Sequence, residues 1–193
     1  MRTLRTPRLR MVPVTVENAR VLWTILQQPD LRTYQDLPSV SAPVFAEMVG
    51  RRPKNLRAGA TGRFEWLIYP AHTRRAAGWV SLRIAERDTA SGEIGYSVIR
   101  DHRGRGVATE AVRAVIEAGF EDAGLSRINA YCVPENAPSR RVLERAGFSY
   151  EGVLPHGATV GGTPVDVLMH RLEREAWLQS GNSTVMPASG YPA

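Results

Sequence analysis

Residues 100–111 read Arg-Asp-His-Arg-Gly-Arg-Gly-Val-Ala-Thr-Glu-Ala. An apolar run ends at Ile99, two glycines follow, and an apolar helical stripe begins after Gly106. The first turn of a helix leaves backbone N–H groups unpaired, and its dipole favours negative charge. Gly104 and Gly106 remove side chains that would hold a phosphate away. Arg103 and Arg105 add positive charge, Val107 and Ala108 open the helix, and Thr109 offers a hydroxyl. The chemistry available here is phosphate binding. A Walker A loop needs G-x-x-x-x-G-K-[ST], and no such string occurs. The dinucleotide fingerprint G-x-G-x-x-G fails at its third glycine, where Thr109 stands. A plain glycine turn before a helix is the reading without chemistry.

The elements around the loop decide among these readings. Residues 3–14 alternate apolar and polar as one strand, with Pro7 at a bend or edge. Residues 16–28 carry Val21, Leu22, Ile25 and Leu26 at helical spacing, and 44–56 form a second helix weakened by Gly50 and Pro53. Residues 63–70, 76–87 and 93–99 read as three strands. The breaks at 71–75 and 88–92 suit antiparallel hairpins. The stripe Ala108, Ala111, Val112, Val115, Ile116 and Phe120 makes a helix that Gly124 ends. A strand at 127–133, a helix at 138–146 and strands at 148–154 and 165–172 complete the pattern. Three consecutive strands without crossover helices exclude a doubly wound fold. The expectation is a mixed α/β (α+β) domain over residues 1–179. It has a mostly antiparallel sheet of about seven strands flanked by four helices, and residues 180–193 are expected to be a disordered tail.

At 193 residues, one domain with a sizeable core is expected. No apolar run reaches the roughly 18 residues of a membrane span, and the arginine-studded first ten residues lack a signal-peptide core. The expected location is cytoplasmic, with no membrane partner. The single cysteine, Cys132, cannot make an intrachain disulfide or a cysteine-rich zinc site, and the four histidines lack ligand spacing, so no metal is expected. The net charge is +6. Residues 1–60 hold ten basic against four acidic residues, whereas 61–193 hold fifteen of each. A nucleic-acid footprint is one reading of that early excess. An arginine-rich genome is the other, because 24 of the 25 basic residues are arginine.

A third phosphate-loop pattern, the Q/R-x-x-G-x-G/A loop around the coenzyme A pyrophosphate, is matched by Arg103, Gly106 and Ala108 at every defined position. With the opening Thr-Pro-Arg-Leu-Arg-Met, the strand Gly-Glu-Ile-Gly-Tyr-Ser-Val, the later Val-Pro-Glu-Asn-Ala-Pro-Ser-Arg-Arg-Val-Leu-Glu-Arg-Ala-Gly-Phe and a final strand holding Asp166, the chain resembles the GNAT superfamily of N-acetyltransferases. The branch it resembles is that of bacterial ribosomal-protein N-terminal acetyltransferases (the RimJ/RimL type). The resemblance covers roughly residues 3–172.

That resemblance implies acetyl-CoA as co-substrate and an amine as acceptor, either a ribosomal-protein N-terminus or a small-molecule amine. It puts the pyrophosphate on Arg103–Thr109 and the pantetheine arm beside residues 96–99, where the strand parts from 130–133. A backbone N–H at Val98 or Ile99 would hold the developing oxyanion. Asn136 matches an asparagine that bonds pantetheine. Ser139 matches a hydroxyl that protonates the departing thiolate, a task many relatives give to a tyrosine that 138–146 lacks. Glu93 is the candidate base. Alternation puts it with Gly95 and Ser97 on one face, where partial burial would raise its proton affinity; a water wire is the alternative. Cys132 reads as a core residue and His102 as a solvated loop residue. Asp166 suits either amine orientation or hairpin capping, and Tyr34 and Trp66 suit either the acceptor cleft or the core. A non-catalytic acyl-CoA-binding module and a ribosome- or RNA-docking module are the other classes. Nothing in the sequence separates a monomer from a homodimer.

Overall fold

The computed structural model describes residues 1–181; residues 182–193, and with them nearly all of the expected tail, lie outside the described residues. The first strand is two, β1 (Leu4–Arg5) and β2 (Leu9–Pro13), because Thr6–Arg8 turn between them. Helix α1 (Ala19–Leu26), a 3-10 turn at Pro29–Leu31 and α2 (Ala42–Gly50) follow. The meander is β3 (Gly62–Pro70), β4 (Gly78–Ala85) and β5 (Asp88–Val98). Residues 88–92, expected to form a turn, belong to β5; the reversal is made by Glu86 and Arg87 alone. After a 3-10 turn at Arg100–His102 come α3 (Val107–Glu121), β6 (Arg127–Cys132) and α4 (Ala137–Ala146). A long hairpin, β7 (Ser149–Val160) and β8 (Thr163–Glu173), leads into α5 (Arg174–Gln179).

The eight strands form one sheet in the order β1-β2-β3-β4-β5-β6-β8-β7. Only β5 and β6 are parallel neighbours, as the α3 crossover between them requires. Phe64, Trp66, Val80, Leu82, Ile94 and Val98 alternate onto the face packed by α3, while Leu67 and Trp79 point to the opposite face under α1 and α2. The expected mixed α/β architecture is present, with eight strands and five helices among the described residues rather than about seven and four. Helix α5 lacked a readable stripe: its one buried anchor, Trp177, packs on Phe120 with ring centroids 6.4 Å apart. The hairpin arm beyond Leu154 carries no strand signal in the sequence. Its side chains are mostly exposed, so no core face imposes an apolar alternation on the sequence. Among the described residues, no helix is long and apolar enough to cross a membrane.

Candidate active site

The parallel pairing of β5 with β6 ends at Glu93–Asn129. Beyond that pair β5 runs on to Val98 and β6 to Cys132 without bonding each other, so a cleft opens between them. Its polar lining follows from strand alternation. Ile99 donates its N–H to the carbonyl of Ala77, the residue before β4, at 2.9 Å. Successive N–H groups along a strand point to opposite edges, so the Val98 N–H faces the open side. The expectation of an oxyanion donor at Val98 or Ile99 is thereby narrowed: Ile99 is spent in the sheet, and Val98 faces the cleft.

At the end of β5 stands the glycine loop. Gly104 (φ 72°) and Gly106 (φ 77°) both adopt the left-handed conformation that side chains disfavour, and Gly106 caps the N-terminus of α3. The Val107, Ala108 and Thr109 N–H groups lie in the first helical turn, where no intrahelical acceptor is available. A Cβ built on Gly104 would meet no heavy atom within 4 Å, so the loop's outer face is open to a ligand. The residues present fit a pyrophosphate.

Two arginine side chains pack around the loop. The Arg103 side chain turns away from the loop mouth. Its Nε donates to the Val98 carbonyl at 2.8 Å, and its guanidinium pairs with Asp30 at 2.6 Å. A long side chain beside a strand end finds an unpaired carbonyl within reach, which sequence spacing does not reveal. Arg103 thus contributes backbone to the loop while its charge is held by Asp30. Arg8, from the turn between β1 and β2, braces the loop instead. It donates to the Arg105 carbonyl at 3.1 Å and through Nε to Glu110 at 2.6 Å. Thr6 and the Arg8 backbone N–H also bond Glu110, which locks that turn onto the first turn of α3.

Across the cleft, Asn136 caps α4 by accepting the Ser139 N–H at 3.1 Å. The Ser139 hydroxyl lies 2.9 Å from the Tyr96 hydroxyl. Burial pushes the Tyr96 phenol far above the usual tyrosine range, so it stays protonated. The sequence lacked a tyrosine within α4, and β5 supplies one from across the cleft. The parity of Tyr96 with Ile94 and Val98 was legible; its meeting with a residue 43 positions later was not. Cys132 is buried nearby, and burial pushes its thiol up, which keeps it a core thiol rather than a nucleophile.

Glu93 is half-buried, as expected, and its carboxylate pairs with the guanidinium of Arg83, its register partner on β4. Glu93 also stands five residues from Val98, about 16 Å along an extended strand. Trp66 is core, 1% exposed with its indole N–H on the Arg2 carbonyl, and stands on β3, away from the gap between β5 and β6. Asp166 accepts the His156 N–H at 2.9 Å, part-way along the hairpin where its register shifts between Leu154 and Ala158. The segment between α1 and α2 is tied at three points to the end of β5, the glycine loop and the hairpin tip. Asp30 holds Arg103, Gln35 donates to Ser97 at 2.7 Å, and Asp36 accepts the Gly161 N–H of the hairpin tip at 2.8 Å. Tyr34, partly exposed, lies between these ties.

A splayed parallel pair, a strand-end N–H beside the gap and a glycine loop opening the following helix thus lie along one cleft. The acetyltransferase (GNAT) domain model matches residues 8–149. The chain is 31% identical over 173 residues to the uncharacterized N-acetyltransferase p20 of Bacillus licheniformis, covering 89% of this chain and 96% of that protein. Ribosomal-protein-S5-alanine acetyltransferase from Vibrio fischeri superposes with a TM-score of 0.77 at 19% identity, over 92% of this chain and 99% of that one. Mycobacterium smegmatis RimJ, solved in complex with a CoA disulfide, superposes with a TM-score of 0.73 at 24% identity over 94% of each. The chain belongs to the GNAT family of acetyltransferases. It is an acetyl-CoA-dependent enzyme of the type whose neighbours include the ribosomal-protein acetyltransferases.

Proposed function

We propose that the enzyme acetylates α-amines, with protein N-termini such as an N-terminal alanine as the acceptor class. The observation that carries this reading is the cleft between β5 and β6: it joins the Val98 N–H, the Ser139–Tyr96 hydroxyl pair and the loop from Arg103 to Thr109. Backbone N–H groups of Gly104 to Thr109 hold the pyrophosphate, with Arg105 near it. Asn136 and the open edge of β5 flank the pantetheine arm. The neutral amine attacks the thioester carbonyl carbon, and the Val98 N–H stabilises the oxyanion. The C–N bond forms, the C–S bond breaks, and the thiolate takes a proton from Ser139, which Tyr96 backs. The ammonium proton leaves through water towards Glu93, since the carboxylate is too distant for direct contact.

An α-amine is the acceptor that such a remote base can serve. Its ordinary pKa of about 7.7–8.0 leaves roughly a tenth neutral at pH 7, against well under a hundredth for lysine. The Vibrio fischeri neighbour is by name an alanine acetyltransferase acting on ribosomal protein S5, in keeping with this class. The test is free-thiol release from acetyl-CoA with a panel of polyamines, aminoglycosides and peptides bearing N-terminal alanine or serine. Turnover confined to peptide α-amines is expected. Acetyl-CoA binding without turnover on any amine would instead mark a binding module.

A further inference from the structure

On the face of β5 away from α3 and α4, Ser97 stands opposite Trp79, which packs beneath α1 and α2. The Val98 nitrogen is bonded to the Ser97 carbonyl carbon, so bond lengths alone keep the Ser97 hydroxyl within about 5 Å of it. Gln35 donates through Nε2 to that hydroxyl at 2.7 Å and to the Leu31 carbonyl at 3.0 Å. A carbonyl only accepts, which fixes the amide: its nitrogen faces Leu31, and both of its N–H groups are spent. Gln35 Oε1 accepts no hydrogen bond among the described residues, and Ser97 Oγ, with two lone pairs, accepts one. We infer that Gln35 Oε1 and Ser97 Oγ take the two N–H groups of a neutral primary amine and turn its lone pair towards the thioester. This rests on the proposed reading of the cleft. The glycine loop, Asn136, Ser139 and the Tyr96 hydroxyl, which hold the cofactor in that reading, belong to α3, α4 and the face of β5 that those helices cover. With cofactor on that side, the amine reaches the carbonyl carbon from the other side of the sheet, where β5 presents Ser97. A neutral primary amine offers two donors and a lone pair, whereas an ammonium offers three donors and calls for a negative partner. Asp36, the carboxylate next to Gln35, is occupied by the Gly161 N–H, and Glu93 by Arg83. Two uncharged acceptors therefore favour the form of the amine that reacts.

The experiment is a cycle between enzyme and substrate. For the wild type, Ser97→Ala and Gln35→Ala, kcat/KM is measured on a peptide with N-terminal alanine and on the same peptide with N-terminal N-methylalanine, which has one N–H fewer. The wild type should prefer the primary amine. Each variant should reduce that preference by about 3- to 10-fold, the worth of one hydrogen bond, because the acceptor that the methyl group leaves unpaired is gone. CoA affinity by calorimetry should stay within about twofold of the wild type. A residue that only braces β5 lowers both peptides alike, so an unchanged ratio in either folded variant overturns the inference. Ser97→Ala decides alone if Gln35→Ala does not fold. A loss of CoA affinity of about tenfold in either variant puts the pair on the cofactor and also overturns it. A wild type that binds CoA but turns over neither peptide overturns the proposed acceptor class and the inference with it, whereas an active wild type whose ratio does not move in the variants leaves that class standing.

Discussion

Ser139→Ala removes a hydroxyl that lies 2.9 Å from the Tyr96 phenol and leaves the phenol only the Ser139 carbonyl, at 3.2 Å. The size of the effect follows from the leaving group. A free thiol ionises near 8.5, so a thiolate released unprotonated at pH 7 lies about 1.5 units uphill, roughly 2 kcal/mol. Protonating it can therefore gain about 30-fold, below the usual range of roughly 10²–10⁴ for general acids acting on poorer leaving groups. Ser139→Ala is expected to lower kcat about 30-fold with the acetyl-CoA KM within twofold. The assay is thiol release at saturating acetyl-CoA, in water and in D₂O. The wild type should show a solvent isotope effect on kcat that the variant lacks, because its proton is in flight during C–S cleavage. Tyr96→Phe should give a smaller defect, and the double variant should be non-additive, since the two hydroxyls form one hydrogen-bonded unit. A Ser139→Ala enzyme with wild-type kcat, or with an unchanged isotope effect, refutes the acid role.

Gly106→Val places a β-branched residue at φ 77° with its Cβ about 3.1 Å from the Arg8 guanidinium, and should weaken CoA binding at least tenfold by calorimetry with the circular dichroism spectrum intact. Glu93→Gln should depress kcat/KM on an α-amine by up to about tenfold at pH 7 and 10²-fold at pH 6, and not at all above pH 8.5, following the neutral fraction of the amine; a pH-independent defect removes Glu93 from the wire. Glu65→Gln strips the buried partner of Arg52 and Arg63 and leaves a half-buried guanidinium uncompensated, which should cost about 3 kcal/mol and lower Tm by roughly 10 °C in thermal melts. His170 is buried and its pKa is lowered by that burial, so the unfolded chain takes up its proton first: stability should fall as pH drops below about 6.5, by up to about 1.4 kcal/mol per unit, until the folded value is reached. Denaturant titrations of His170→Phe over the same range should show a shallower slope.

The parts of the fold that were legible are those whose side chains alternate into a core. The meander Gly62–Val98 and helix α3 present buried residues at periods of two and 3.6, and those periods survive in the sequence. Where the structure departs, the core is not what sets the element. The turn at Thr6–Arg8 is set by Glu110, more than a hundred residues away. The β7 arm is held by β8 and by Asp36 at its tip, with few buried side chains. The candidate site divides the same way. Its glycine loop is contiguous and was readable. The narrowing to Val98 depends on which N–H groups β4 consumes, and that is a matter of register. The Tyr96–Ser139 contact and the bond from Arg103 to Val98 depend on where side chains turn at the edge of the splay, which no spacing rule encodes.

The basic excess in the first 60 residues offered two readings, an RNA footprint or a codon bias, and the structure supplies a third. Arg2 pairs with Asp122, Arg8 with Glu110 and Arg52 with Glu65, so each of these early arginines is neutralised by a carboxylate from the later two-thirds of the chain. Arg10 lies over the Tyr69 ring at 4.9 Å, and Arg32 donates to the Leu37 and Pro38 carbonyls. A charge imbalance along the chain is therefore not concentrated on one face in the same way, because ion pairs across the fold redistribute it while the net charge stays +6. Arg52 and Glu65 lie beneath α2, with the Arg52 guanidinium over the Phe45 ring, where they serve packing. Arg8 braces the glycine loop from a turn 97 residues upstream. These roles need no nucleic acid. They also explain why the excess falls early. The opening strands and the segment around α2 frame the rest of the sheet, and arginine is the side chain that reaches from a frame to the carbonyls and carboxylates of what it encloses.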